Sequence, residues 1–182
     1  KAIGKVGQNR DNQGLSEYSI AASATAIYQG DPVEMLATGT IGVAAAGDTL
    51  LLGPLTGVFY TDASTSKPTW ANHLNASNTA TDIVGFVSDD PYERFEIQSN
   101  NAGASNANDV FAVADIAYAA GSSPDYISGV ELNDSTIANG SSATLQILGA
   151  SKDPSNNDVG SANVNWVVRI NEHELDMNVN GV

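Results

Sequence analysis

The chain has no cysteine, which excludes disulfides and thiolate metal sites among its 182 residues. Basic residues are almost as scarce, seven Lys and Arg against twenty-one Asp and Glu, for a formal net charge of −14. Such a charge repels phosphates, so neither nucleic acid nor an anionic membrane is an expected partner. Long apolar runs are missing as well. None approaches the roughly 20 residues of a membrane-spanning helix, and no charged start followed by an apolar segment suggests a signal peptide, so a soluble protein is expected. Strong helix formers are few, and no helical period is long enough for a βαβ crossover.

What is abundant is Ala, Gly, Ser, Thr, Asn and Asp, the palette of short strands joined by turns. The most informative stretch lies near the end. Leu145 and Ile147, then Val164, Trp166, Val168 and Ile170 across a polar loop, alternate with Gln146, Asn165 and Arg169. Each half reads as a strand with one buried face. Trp166 is the largest group on that face; an indole buries roughly 150 to 250 Å² and calls for a partner for its N–H, so this hairpin is expected to carry the core.

Further strands follow from alternation and punctuation. Tyr18 and Ile20 alternate with polar neighbours, and Ile27, then Val33 and Met35 after the Gly30-Asp31-Pro32 turn, then Ile41 and Val43 are expected to line the inside of a small antiparallel meander. Thr49–Gly53 and Gly57–Tyr60 read as two pieces separated by Pro54, and Thr61–Thr81 as a polar loop holding Trp70. Ile83–Val87 is a continuous apolar strand; Arg94–Gln98 alternates with Phe95 and Ile97 inward. Asp109–Ala119 has the alanines of a helix but the β-branched Val110, Val113 and Ile116 of a strand, and a strand is expected. Gly129–Leu132 is a short strand, and Asn133–Ala138 one capped turn. The sum is a mainly β protein: a single β-sandwich or barrel-like domain of about ten short antiparallel strands over residues 16–182, preceded by an extended N-terminal arm, residues 1–15. Lys1, Lys5 and Arg10 give the arm three of the seven basic residues.

Reactive constellations are sparse. The two histidines, His73 and His173, lack the His-Glu-x-x-His spacing, and Glu172-His173-Glu174 reads as a solvated strand end. Asp153–Asp158 lacks the Gly and distal Glu of an EF-hand loop, and Asp89-Asp90-Pro91 has the look of a turn. Neither a Gly-x-Ser-x-Gly elbow nor a glycine-rich phosphate loop occurs. Asn75, Asn133 and Asn139 head glycosylation-type triplets. No metal, no cofactor and no catalytic residue is assigned, and the chain is read as a non-enzyme. Two other readings stay open: a hydrolase with carboxylates meeting in a cleft, and a head or tail fibre or adhesion module binding host glycans, with Trp70, Tyr60 and Tyr126 on one open face.

Resemblance adds a role. Gly129-Val-Glu-Leu-Asn-Asp-Ser-Thr136, Ala143–Gly149, Asp153-Pro154, Asn163 and Val167-Val-Arg-Ile-Asn-Glu-His173 resemble the C-terminal half of capsid decoration (cement) proteins of marine tailed bacteriophages. Ala26–Val33, Gly39–Ile41 and Gly57–Phe59 are similar to the start of that group. The likeness runs from about Ser16 to Glu174, leaving Thr61–Thr81 and Asn100–Asn108 unmatched. It implies a structural virion protein, made in the host cytoplasm, that sits on the outer surface of the capsid. There it would bind the phage major capsid protein and stabilise its lattice against internal DNA pressure, as a homo-oligomer, trimer or dimer. Lys1, Lys5 and Arg10 are the expected capsid contacts.

Overall fold

In a computed structural model, residues 14–45, 50–100, 105–140 and 142–176 are described. They form a mainly β fold of twelve strands, antiparallel wherever strands pair in ladders, with two single-turn 3-10 helices. Two hydrophobic cores organise it.

The first core belongs to β1 (Leu15–Ser19), β2 (Pro32–Leu36), β3 (Thr40–Val43), β4 (Gly53–Thr61), β5 (Pro68–Ala71) and β6 (Val84–Ser88). Their order is β1-β6-β4-β2-β3, with β5 on the free edge of β4. A parallel bridge between Ile20 and Ile41 brings β3 back to β1, so the sheet closes on itself as a small barrel. Closure crowds the interior: a Cβ on Gly85 would stand 2.9 Å from Ile20 Cδ1 and 3.1 Å from Leu55 Cδ1. In β4 the register shifts between Leu55 and Gly57. That bulge lets Leu55 and Val58, an odd three positions apart, both face the core.

The second core belongs to β7 (Phe95–Gln98), β8 (Val113–Ala114), β11 (Leu145–Ala150) and β12 (Asn165–Ile170), ordered β7-β12-β11-β8, beside a hairpin of β9 (Ile116–Ala117) and β10 (Glu131–Leu132). Trp166 is 0% exposed at its centre, with Val164, Val168, Ile170, Leu145 and Ile147 around it and Phe95 and Ile97 against it. The expected hairpin is present, with Gln146 paired to Arg169 on its outer face. The expected partner for the indole is not: Nε1 has no acceptor among the described residues.

Leu51 and Leu52 splice the cores, Leu51 entering the second and Leu52 the first, as neighbours on an extended chain must point opposite ways. The segment after β12 completes the join. Leu51 N–H donates to the Glu172 carbonyl and Glu174 N–H to that of Leu51, both at 3.0 Å. Met35 N–H donates to Glu174 Oε1 at 2.8 Å, and Leu175 packs on the first core.

Several expectations are corrected. Trp70 sits on β5 and not in a loop, and Pro54 lies within β4, opposite Pro32, where neither residue has an N–H for the ladder to lose. Residues 109–119 are no single strand: a 3-10 turn at Ala107–Asp109 leads to Phe111 at φ 73°, then to β8 and β9. The expected capped turn after β10, by contrast, is present, as a 3-10 turn at Asp134–Thr136 with the Asn133 side chain accepting from Ser135 N–H.

Candidate functional site

Three part-exposed rings meet at one end of the barrel. Ile27 and Leu74 are fully buried and exchange both backbone hydrogen bonds, at 3.0 and 2.7 Å. This pairing fixes their neighbours Tyr28 and His73 side by side. The 121–128 loop is laced to the same edge: Gln29 N–H donates to the Tyr126 carbonyl at 3.1 Å, and Ser128 N–H to that of Gln29 at 2.8 Å. It brings Tyr126 flat against His73, with ring centroids 3.8 Å apart and planes within 2°. Tyr28 is tilted toward both, at 6.2 Å from His73 and 6.0 Å from Tyr126. The loop approaches so closely that a Cβ on Gly121 would fall 2.6 Å from Tyr28 Cδ2.

Two exposed amides flank the rings. His73 Nδ1 lies 2.8 Å from Asn72 Oδ1, and Asn72 Nδ2 donates to Gln29 Oε1 at 3.4 Å. Since Oδ1 can only accept, Nδ1 is the donor in this contact. Beneath Tyr28 the buried Asp31 accepts the Tyr28 N–H at 2.8 Å. Burial pushes its carboxyl above the usual range, against the nearby Ser128 side chain and the Tyr28 N–H hydrogen bond. From Gln29 and Ile127 a mostly apolar cavity of about 490 Å³ runs between the barrel and the second sheet, past Pro54, Phe95, Ile116 and Val168.

A different aromatic surface covers the outside of β4, β5 and β6. Trp70 and Phe59 stand opposite each other, 58% and 40% exposed, and Trp70 packs on Phe86 at 4.7 Å. The indole lies across Gly57, where a Cβ would come within 3.0 Å of it. Tyr60 points the other way, onto the first core, and Tyr126 belongs to the ring cluster. Trp70, Tyr60 and Tyr126 therefore do not share one open face.

The remaining sequence candidates fall as follows. Lys1, Lys5 and Arg10 lie outside the described residues. Asp90 and Asp153 are turn formers, accepting from Tyr92 N–H and Ser155 N–H, each at 2.9 Å. Among the described residues no three His, Asp or Glu side chains gather as a metal site. His173 is not a solvated strand end: it is 1% exposed, and its Nδ1 accepts from Leu175 N–H at 3.0 Å. Its Nε2 lies by the Leu52 backbone outside hydrogen-bond geometry. Nearby, the buried Asp89 accepts from the Tyr18 hydroxyl at 2.7 Å.

Burial holds His173 below the ordinary histidine value of 6.5, against the Asp89, Asp176 and Asp90 charges and the Leu52 backbone that favour its protonation. The unfolded chain thus takes up this proton first, so the stability due to neutral His173 is complete above pH 6.5 and is lost as pH falls below it. Asp31, with its raised value, acts in the opposite sense at lower pH. Thermal melts from pH 7.5 down to about 5.5 should show a falling midpoint for the parent and a flatter profile for His173→Gln. Parallel profiles would remove His173 as the cause.

Sequence patterning pointed to His73 and Tyr126 one at a time but missed their meeting with Tyr28. The only hint was the Gly30-Asp31-Pro32 turn, which forces the chain after Tyr28 to reverse. Comparison with models of protein families, with curated proteins and with solved structures returns no match.

Proposed function

We propose that this chain is a structural virion protein, bound to the outer surface of a phage head, that stabilises the major capsid protein lattice. The reading is carried by the resemblance to capsid decoration proteins spread from Ser16 to Glu174. The resembling segments coincide with structural pins of the fold. Gly30-Asp31-Pro32 forms the turn into β2, Leu145–Gly149 lies on β11, and Val167–His173 covers the last four residues of β12 and the buried histidine bridged to Leu51. Two further features fit the role. The Trp70, Phe59 and Phe86 face is an exposed apolar patch of the kind that protein partners cover. The acidic balance of the chain keeps neighbouring particles apart.

On this proposal the contacts are many and shallow, repeated over the lattice, with copies gathered as a trimer or dimer where capsid subunits meet. Lys1, Lys5 and Arg10 supply charge contrast for attachment. Deleting residues 1–14 should leave the melting temperature within roughly 2 °C of the parent, since the buried residues of the two described cores run from Ile20 and from Ala44 onward. The same deletion should reduce cosedimentation with mature capsids of the cognate phage. Undiminished binding by the truncated chain would remove the arm from the attachment surface, and failure of the full chain to bind would overturn the proposal itself.

A further inference from the structure

We propose that Tyr28, His73 and Tyr126 form a binding site for an uncharged oligosaccharide. The inference goes beyond the capsid role and does not rest on it. Three observations carry it together. First, the rings are clustered without being buried; each keeps part of its surface in solvent, whereas aromatic groups recruited only for the core, such as Trp166, are enclosed. Second, Tyr126 is held at φ 52°, in the left-handed region that a bulky side chain rarely adopts, and that conformation lays its ring parallel to His73. Strained backbone of this kind concentrates where a side chain must be presented for binding. Third, the rings are bordered by a short relay of neutral polar groups, with Gln29 and Asn72 exposed and hydrogen-bonded to each other, and Asn72 in turn to His73.

Ring faces beside a few placed amides suit a ligand with an apolar face and a hydroxyl-covered edge. A pyranose has both: its C–H face packs on an aromatic ring, and its hydroxyls donate and accept in the same plane. Gln29 and Asn72 offer both amide functions, and His73 adds its second ring nitrogen, Nε2, as a hydrogen-bonding atom. The charge of the chain selects within this chemistry. A nucleotide or an acidic glycan would bring negative charge to a protein of net charge −14, with the Asp31 carboxyl buried below the site. A proline-rich peptide also docks on aromatic rings, but it presents few hydroxyls or donors to match the amide relay.

The test uses the full chain, isotope-labelled for NMR. It is titrated with cellohexaose, laminarihexaose and maltohexaose, and separately with hexagalacturonate and decaproline, each to about 10 mM, a range that captures weak single-site binding. At least one neutral hexaose should shift the amide resonances of His73, Tyr126 and Ser128 in a saturable way. Tyr126→Asn removes the ring with a residue that tolerates the left-handed backbone, and His73→Ala removes its stacking partner. Each should weaken that binding about tenfold or more while thermal melts remain cooperative, and Trp70→Ala should leave it unchanged. The proposal is overturned if no neutral hexaose binds, if only hexagalacturonate or decaproline does, or if binding survives both ring substitutions.

Discussion

Trp166→Ala is expected to cost about 3 to 5 kcal/mol and to leave the protein largely unfolded or aggregated when expressed. The indole is fully enclosed, near the start of β12, with β7 on one side and β11 on the other. Its ring fills the space between Ile97, opposite it on β7, and the buried chains of β11 and the β9–β10 hairpin. Truncation therefore leaves a cavity walled by hydrogen-bonded strands that cannot collapse inward without breaking their ladders. A typical domain has only about 5 to 15 kcal/mol in hand, so the loss is a large fraction of the whole. Trp166→Phe separates packing from polarity. Because Nε1 has no acceptor among the described residues, the phenylalanine sacrifices contact area but no hydrogen bond, and should be far milder than alanine. Trp70→Ala, on the outer face, loses a ring contact with Phe86 worth about 0.5 to 1.5 kcal/mol. Melts of the three variants beside the parent decide the matter: a Trp166→Ala midpoint within a degree or two of the parent would mean that the second core is not organised by this residue.

How far the fold could be read from sequence follows from which interactions are local. The β11–β12 hairpin was legible because Leu145 and Ile147 on one arm, and Trp166, Val168 and Ile170 on the other, recur at every second position. The Gly30-Asp31-Pro32 turn was legible because each residue has a local reason to be there. Strand β5 was not. It has four residues, Thr69 and Ala71 are small, and the mostly polar residues 62–67 that join it to its ladder partner, the end of β4, run into it so that the whole stretch reads as one loop. Residues 109–119 carry an apolar run that period alone cannot assign, and the positive φ at Phe111 that splits it leaves no compositional trace. His173 looked solvated because two glutamates flank it, yet the backbone bonds of Leu51 to Glu172 and Glu174 draw the whole segment inward. The ring cluster was the least legible of all. It joins positions 28, 73 and 126, each placed by strand pairing and not by its own neighbours, so no window of sequence contains it.

Gly53→Ala is expected to rival the loss of Trp166, although it adds one carbon where the other removes a whole indole ring. Gly53 opens β4 at φ 149°, a backbone conformation that side chains seldom adopt. It is buried where β4 leaves its ladder with β6 and pairs with Val33 of β2. A Cβ there would overlap the Ser88 carbonyl oxygen, lie 2.9 Å from the Ser88 carbonyl carbon and press on Val87 Cγ1 at 3.3 Å. The first two obstacles are backbone, so no rotamer change relieves them. Either the last residues of β6 move outward, or the start of β4 rotates and takes Leu52 out of the first core. Backbone strain of about 1 to 3 kcal/mol and overpacking of similar size add to roughly 2 to 6 kcal/mol. The damage should also reach the second core, because Leu51 and Leu52 splice the two. Gly14→Ala is the matched control: it too has a positive φ, 83°, but a Cβ there meets nothing within 4 Å, so its cost is the conformational strain alone, about 1 kcal/mol. Urea unfolding of the two variants would separate the effects. Equal midpoints for Gly53→Ala and Gly14→Ala would show that the approach of β4 to the Ser88 backbone is looser than these distances require.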